Sequence, residues 1–287
     1  MFNVCTDFSA RDYCVRFAII IVLMSQKPPA KASDIFALAG AREAGLANST
    51  VAVSSIWSVF HNPAGIINVK ALSFGVNHEN RYLIREISTT SFAGVLPVKT
   101  GSFGISGSYF GTTNYNEQKY ALGYARSFAG KLDVGVQCNY MSANLPEGYE
   151  TRRALAGEIG IIAHPIENLN IGCHLYNPTG AKYSNIYGSI PVIFRTGAAW
   201  ETSKYLISAQ VQLNNKEKTT FSAGSEVLLV KNLAVRLGIS TQQSMSYTLG
   251  LGYRLSWLKS DFAIAHHPVL GYSAFFSFEF NLIRKNR

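Results

Sequence analysis

From Gly271 to Leu282 the chain alternates almost without error, with Tyr272, Ala274, Phe276, Phe278, Phe280 and Leu282 set against Ser273, Phe275, Ser277, Glu279 and Asn281. Side chains of a strand point to opposite faces at a period of two, so this segment separates an apolar, aromatic-tipped face from a polar one. The same pattern recurs about a dozen times upstream, which makes the local signal an architecture.

The chain has 287 residues, of which 47% are hydrophobic, 12% aromatic and only 15% charged. Soluble domains carry about 25% charged residues, so a surface drawn from this composition is poorly suited to water. Yet no segment reaches the roughly 18 continuous apolar residues of a membrane-spanning helix. The formal charge is +9, but the basic residues are scattered rather than clustered, so nucleic acid is not an expected partner.

The strongest apolar run, 17–24, follows Arg11 and Arg16 and precedes the small-residue site Ala30-Lys31-Ala32. That order predicts a secretory signal peptide over residues 1–32, cut after Ala32. Removing its four basic and two acidic residues leaves +7. Cys5 and Cys14 fall in the signal, whereas Cys138 and Cys173 lie on apolar-facing positions of strands expected not to be neighbours, so free lipid-facing thiols are expected.

Residues 33–69 read differently from the rest. The stretch 37–47 is rich in alanine and glycine, and Trp57 and Phe60 precede the turn Asn62-Pro63-Ala64-Gly65. A compact plug, or hatch, is expected here. Fourteen strands then follow, at 71–77, 88–98, 102–112, 119–128, 132–142, 154–163, 169–176, 192–200, 205–213, 219–228, 233–240, 246–257, 261–266 and 271–283. Their connections alternate, with short turns at Lys99-Thr100, Gly130-Lys131, Glu167-Asn168, Thr202-Ser203, Lys231-Asn232 and Lys259-Ser260, and mostly longer links between them. Short turns on one side and longer loops on the other mark an antiparallel outer-membrane barrel, and the lysines of these turns are expected on its periplasmic side.

A soluble sandwich also alternates, but its outer face is charged and wet. Here the polar parity is mostly small, as in Ser102, Gly104, Ser106 and Ser108 opposite Phe103, Ile105 and Tyr109, which suits a narrow lumen. The charged residues on that parity, Asp133, Glu158, Arg195, Glu226, Arg236, Arg254 and Glu279, are predicted to line the lumen, with the arginines paired to glutamates. Tyr109, Tyr120, Tyr140, Trp200, Tyr205, Tyr247, Trp257 and Tyr272 fall near strand ends, as interfacial girdles do. No nucleophile elbow, phosphate loop, dinucleotide fingerprint or zinc motif occurs, so neither an enzyme nor a cofactor or metal site is expected.

The segments Ala41-Arg42-Glu43-Ala44-Gly45-Leu46-Ala47 and Trp57-Ser58-Val59-Phe60-His61-Asn62-Pro63-Ala64-Gly65 resemble the N-terminal hatch of the FadL-like outer-membrane proteins, including their smaller relatives associated with type nine secretion. Leu175-Tyr176-Asn177-Pro178-Thr179-Gly180 and His267-Pro268-Val269-Leu270-Gly271 extend the likeness. The resemblance implies fourteen strands, a hatch-blocked lumen and transport of hydrophobic molecules, although the long loops in which fatty-acid transporters form their capture groove are missing. The reading is an all-β transmembrane antiparallel barrel (70–287) behind a hatch (33–69), in the outer membrane of a Gram-negative cell. It is expected to pass or accommodate small hydrophobic compounds, with Asn62, Pro63, Ala64, Gly65, Trp57 and Phe60 as hatch or gate residues. The alternatives are a surface scaffold that assists protein secretion through secretion-system partners, or a purely structural barrel. Membrane lipid is the partner common to all three.

Overall fold

A computed structural model describes residues 38–145, 151–184, 188–241 and 244–282. The expected signal peptide and its cleavage site lie outside the described residues.

The period-two segments form strands throughout: β1 (Leu72–Asn80), β2 (Ser88–Val98), β3 (Gly101–Gly111), β4 (Asn116–Phe128), β5 (Leu132–Asn144), β6 (Arg152–Ile166), β7 (Leu169–Tyr176), a small hairpin β8 (Lys182–Ser184) and β9 (Gly188–Ser189), then β10 (Ile193–Glu201), β11 (Tyr205–Asn214), β12 (Glu217–Val230), β13 (Leu233–Ser240), β14 (Ser246–Arg254), β15 (Leu258–His267) and β16 (Gly271–Leu282). All except β8 and β9 join one closed antiparallel barrel of fourteen strands, in which each strand pairs with its neighbour in sequence and β1 pairs with β16. Closure leaves no unpaired strand edge, the condition a sheet must meet inside a bilayer.

The outward positions are apolar and exposed, from Leu72, Phe74 and Val76 on β1 to Phe276, Phe278 and Leu282 on β16. Across the closing seam Phe74 stacks on its cross-strand partner Phe280 at 4.9 Å. The tyrosines and tryptophans expected in girdles are all exposed. Cys138 and Cys173 also lie on outward positions as free thiols, Cys173 Sγ standing 3.3 Å from Thr196 Oγ1. An exposed apolar belt around a closed barrel belongs in lipid, and the chain is an outer-membrane barrel.

Links at 99–100, 129–131, 167–168, 202–204, 231–232 and 255–257 gather at one end, together with the last barrel residue, Leu282. The links at 81–87, 112–115 and 177–192 lie at the other end and are longer; the link at 215–216 is as tight as any turn. One expected turn is displaced. Lys259 and Ser260 belong to β15, and the chain reverses at 255–257, where the Leu255 amide donates to the Leu258 carbonyl at 2.7 Å. That reversal carries Ser256 but no glycine, proline or asparagine, so its sequence marks a turn only weakly.

Residues 38–70 occupy the inside of the barrel. They include two short helices, α1 (Ala41–Gly45) and α2 (Ser58–His61), and a 3-10 turn (Pro63–Asn68). Leu46, Val51, Ile56, Trp57 and Ile66 are fully buried, each worth about 1.5–3 kcal/mol relative to exposure. Polar side chains of the wall hold the segment: Ser277 accepts from the Ala41 amide, Thr248 donates to the Gly45 carbonyl, Gln210 accepts from the Val51 amide, and Gln137 donates to the Val59 carbonyl.

Candidate functional site

The four residues Asn62-Pro63-Ala64-Gly65 form a capped turn. Asn62 precedes the 3-10 turn in extended conformation, its Oδ1 accepts from the Ala64 amide at 3.1 Å, and Pro63 follows at the first helical position, where its missing N–H costs nothing. The Asn62 amide also donates to the Val51 carbonyl at 2.7 Å and to the wall carbonyl of Ile161 at 3.2 Å. Gly65 is needed for close packing, because a Cβ there would lie 2.5 Å from Ser58 Oγ. Trp57 and Phe60 are buried beside this turn and pack with Ile56, Val59 and Ile66 against Ala93, Val95 and Ala125 of the wall.

The wall is shaped to receive the segment. Inward glycines on nine strands meet it in turn: Gly250 meets Gly45, Gly238 and Gly224 meet Leu46, Gly197 and Gly172 meet Val51, Gly160 and Gly135 meet Pro63, Gly104 meets Val59, and Gly75 meets Ile56. Between Gly45 and Val51 the chain thus follows the inner wall from β14 to β7, with a 2.7 Å hydrogen bond between Ser49 and Ser208 on β11, then crosses to β1 at Ile56 and passes β3 at Val59 to reach β5 and β6 at Pro63. Side chains at those glycines would occupy space the segment already fills.

All seven predicted lumen charges point inward, and they fall into separate groups. Glu226 takes three arginines, with Arg42 Nε at 2.8 Å, Arg236 Nε at 2.5 Å and Arg254 Nη2 at 2.6 Å, while Arg236 also reaches Asp261 at 2.8 Å. Asp133 accepts from the amide of Asn68 at 2.8 Å and lies 2.9 Å from His164 Nε2. Glu279 pairs with Lys259 at 2.6 Å. Arg195 departs from the expected direct pairing with a glutamate: its Nη1 meets His174 Nδ1 at 3.1 Å, and His174 Nε2 meets Glu158 at 2.9 Å. The direct cation on Glu158 is Lys119, at 3.2 Å.

The polar parity of the sequence places His164 and His174 in the lumen as hydrogen-bonding histidines, and both lie there, but sequence reading did not single out Lys119, Asp261 or Arg42 as lumen charges. Strand parity carries the first two, since Lys119 shares a face with Ala121 and Ala125, and Asp261 with Ala263. Arg42 lies in the inner segment, which has no such period.

Two titratable groups of the inner segment are wholly buried. Burial raises the Glu43 carboxyl from 4.5 to about 7, against the opposing pull of Arg42 and a 2.7 Å hydrogen bond from Ser55; its second oxygen has no hydrogen-bond partner among the described residues. Burial lowers His61 to about 3, so the ring is neutral as it bridges Thr50 Oγ1 at 2.9 Å and the Ala39 carbonyl at 2.9 Å.

A cleft opens beside Phe60, lined also by Lys119, Glu158, Tyr176, Ile193 and Arg195. Nearby, the link between β7 and β10 folds against the wall, and Ile190 packs with Met141, Ala156, Tyr176 and Ile193. Asn177 fastens that link, its amide donating to the Ile190 carbonyl at 3.1 Å and its Oδ1 accepting from the Ala181 amide at 2.8 Å.

No protein-family model matches the chain, and no curated protein matches it. Solved structures do. The CymD monoaromatic hydrocarbon channel superposes with a TM-score of 0.65 at 11% identity, over 86% of this chain and 98% of that one. The P. putida toluene transporter TodX gives 0.61 at 12% identity, over 80% and 95%, and a Pseudomonas aeruginosa FadL homologue gives 0.59 at 10%, over 85% and 98%. The fold is that of the FadL-like barrels. Identities this low speak for the fold alone. Of these neighbours, CymD is described as a channel and TodX as a transporter.

Proposed function

We propose that this FadL-like barrel passes small hydrophobic compounds across the outer membrane, with the inner segment as its gate. The observation that carries the reading is the apolar surface the segment shares with one side of the lumen: Trp57, Phe60 and Ile66 pack on Ala93 and Val95, with a cleft open beside Phe60. A water-filled pore for ions has no use for such surface, whereas an apolar solute exchanges it for its own at little cost. The named activities of CymD and TodX agree with this reading. Gating requires the Trp57–Phe60 stretch to shift while Asn62 and Pro63 hold their bend against β5 and β6.

Uptake of toluene and related monoaromatics is the test, in cells carrying the wild type, a deletion, or Asn62→Ala with Gly65→Ala. The deletion is expected to slow uptake several-fold, and the double variant to change it in either direction by loosening the gate or jamming it. Equal uptake in all three at matched protein levels removes the transport reading and leaves a barrel that acts as a scaffold or only as structure.

A further inference from the structure

The barrel's short-turn end carries, among the described residues, six exposed cations, Lys70, Lys99, Arg126, Lys131, Lys204 and Lys231, against one exposed carboxylate, Glu167. Five of the cations lie outside the strands. Arg126 does not: on β4 the outward positions run Tyr120, Leu122, Tyr124, Arg126 and Phe128, so a lipid-facing row ends on a guanidinium set between two aromatic rings. Its Cζ stands 5.6 Å from the centroid of the Phe128 ring. A cation on the outer face of a barrel costs little only at the edge of the bilayer, where it reaches the headgroups.

Two more cations are brought to the same place. Ser102 pairs with Ala125, which lays the β2–β3 turn beside Arg126, and the Tyr124 hydroxyl fastens that turn by donating to the Thr100 carbonyl at 3.0 Å. Lys99 precedes Thr100 there. The β4–β5 turn closes through the Lys131 amide, which donates to the Phe128 carbonyl at 3.1 Å. Lys99, Arg126 and Lys131 thus share two adjacent hairpins, and no carboxylate pairs with any of them among the described residues. Below them the wall is apolar. Phe103, Tyr124 and Val136 are cross-strand partners in one row, with the Phe103 and Tyr124 ring centroids 5.0 Å apart, and Leu122 is exposed in the next row. A partner for this surface combines an anionic head with long apolar tails. A zwitterionic phospholipid brings an ammonium of its own to the three cations, and a soluble anion leaves the apolar rows uncovered.

We propose that Lys99, Arg126 and Lys131 hold the headgroup of an anionic glycerophospholipid of the phosphatidylglycerol type, from the leaflet at the short-turn end. The planar guanidinium of Arg126 takes the phosphate through two parallel N–H bonds, Lys99 and Lys131 add charge from either side, and the acyl chains lie along Phe103, Leu122 and Val136. The site stands apart from solute passage and requires only that the apolar belt lie in lipid.

The test is native mass spectrometry of the purified full-length protein, released from detergent after phosphatidylglycerol, phosphatidylethanolamine and lipid A are offered in equal amounts. Phosphatidylglycerol is expected to be retained in preference to the other two. Arg126→Gln is expected to weaken its binding about tenfold, as loss of a charge-assisted hydrogen bond implies, and Lys99→Gln with Lys131→Gln several-fold. Arg126→Lys, which keeps the charge and loses the planar fork, is expected to fall between wild type and Arg126→Gln. Lys231→Gln removes a charge from the same end on the opposite side of the barrel, and is the control expected to leave binding unchanged. Heat-modifiable electrophoretic mobility establishes that each variant is folded. Equal retention of phosphatidylglycerol and phosphatidylethanolamine overturns the proposal. Unchanged binding in Arg126→Gln does so too, as does an equal loss in Lys231→Gln, which would assign the effect to net charge alone. Preference for lipid A also overturns it and assigns these cations to the other leaflet's lipid.

Discussion

Asn62 concentrates in one side chain what fastens the inner segment: it caps its own turn, ties back to Val51 and reaches the β6 backbone through Ile161. Glu43 is the opposite case, a wholly buried carboxyl with one oxygen bonded by Ser55 and the other without a partner among the described residues. Because burial raises its pKa from 4.5 to about 7 in the folded protein, between those values the native state holds a proton that the unfolded chain has released. Its contribution to stability is therefore full below about pH 4.5 and is lost as pH rises through about 7. Glu43→Gln should abolish that loss, so that the variant gains on the wild type as pH rises across this window, read from urea midpoints in lipid vesicles. His61 works with the reverse sign, since its lowered pKa costs stability as pH falls from 6.5 toward 3, which is why the comparison must be with the variant at each pH. A difference between wild type and Glu43→Gln that does not vary with pH would mean that the carboxyl is not buried as described.

At the scale of elements, the strands were legible and their inner surface was not. Every expected span overlaps one of the fourteen barrel strands, because a period of two separates lipid from lumen on each of them without reference to any other. The glycines looked like filler on the polar parity. Their reason is a segment far away in sequence, as Gly172 against Val51 and Gly160 against Asn62 illustrate, and no local pattern carries it. The same holds for the turn at 255–257, which is set by pairing on either side and not by its own residues. Gly172→Ala would drive a methyl into the Val51 carbonyl and is expected to cost about 1–3 kcal/mol, as overpacking does. Gly157→Ala is the control, since the nearest atom to its Cβ is a carbonyl 4.0 Å away. Equal urea midpoints for the two variants would contradict the close fit. In the candidate site, the charged members were readable by parity, but their grouping was not: that Arg195 reaches Glu158 only through His174 depends on how far β10 and β7 are offset in register.

The whole molecule has two unlike ends. The exposed lysines Lys99, Lys131 and Lys231 sit at the short-turn end, while Lys259, expected beside them in a turn, points into the lumen on Glu279. If the short turns face the periplasm, single cysteines placed at 99, 131 and 231 should resist an impermeant thiol reagent in intact cells and react after the outer membrane is permeabilised. Labelling from outside would invert the orientation. The inner segment has a further consequence for how such a molecule comes into being. It precedes β1, yet it touches both sides of the closing seam, Gly75 on β1 and Ser277 on β16, as well as strands most of the way around. Such contacts form most directly if the sheet curls around the segment, with β1 and β16 meeting last. In a pulse–chase experiment, disulfide trapping between cysteines at Ser49 and Ser208 should therefore precede trapping between cysteines at Val76 and Phe278, and the reverse order would exclude this sequence of events. The segment would then be the template on which the barrel's circumference is set, so that its removal should yield cylinders of uncertain girth rather than open pores.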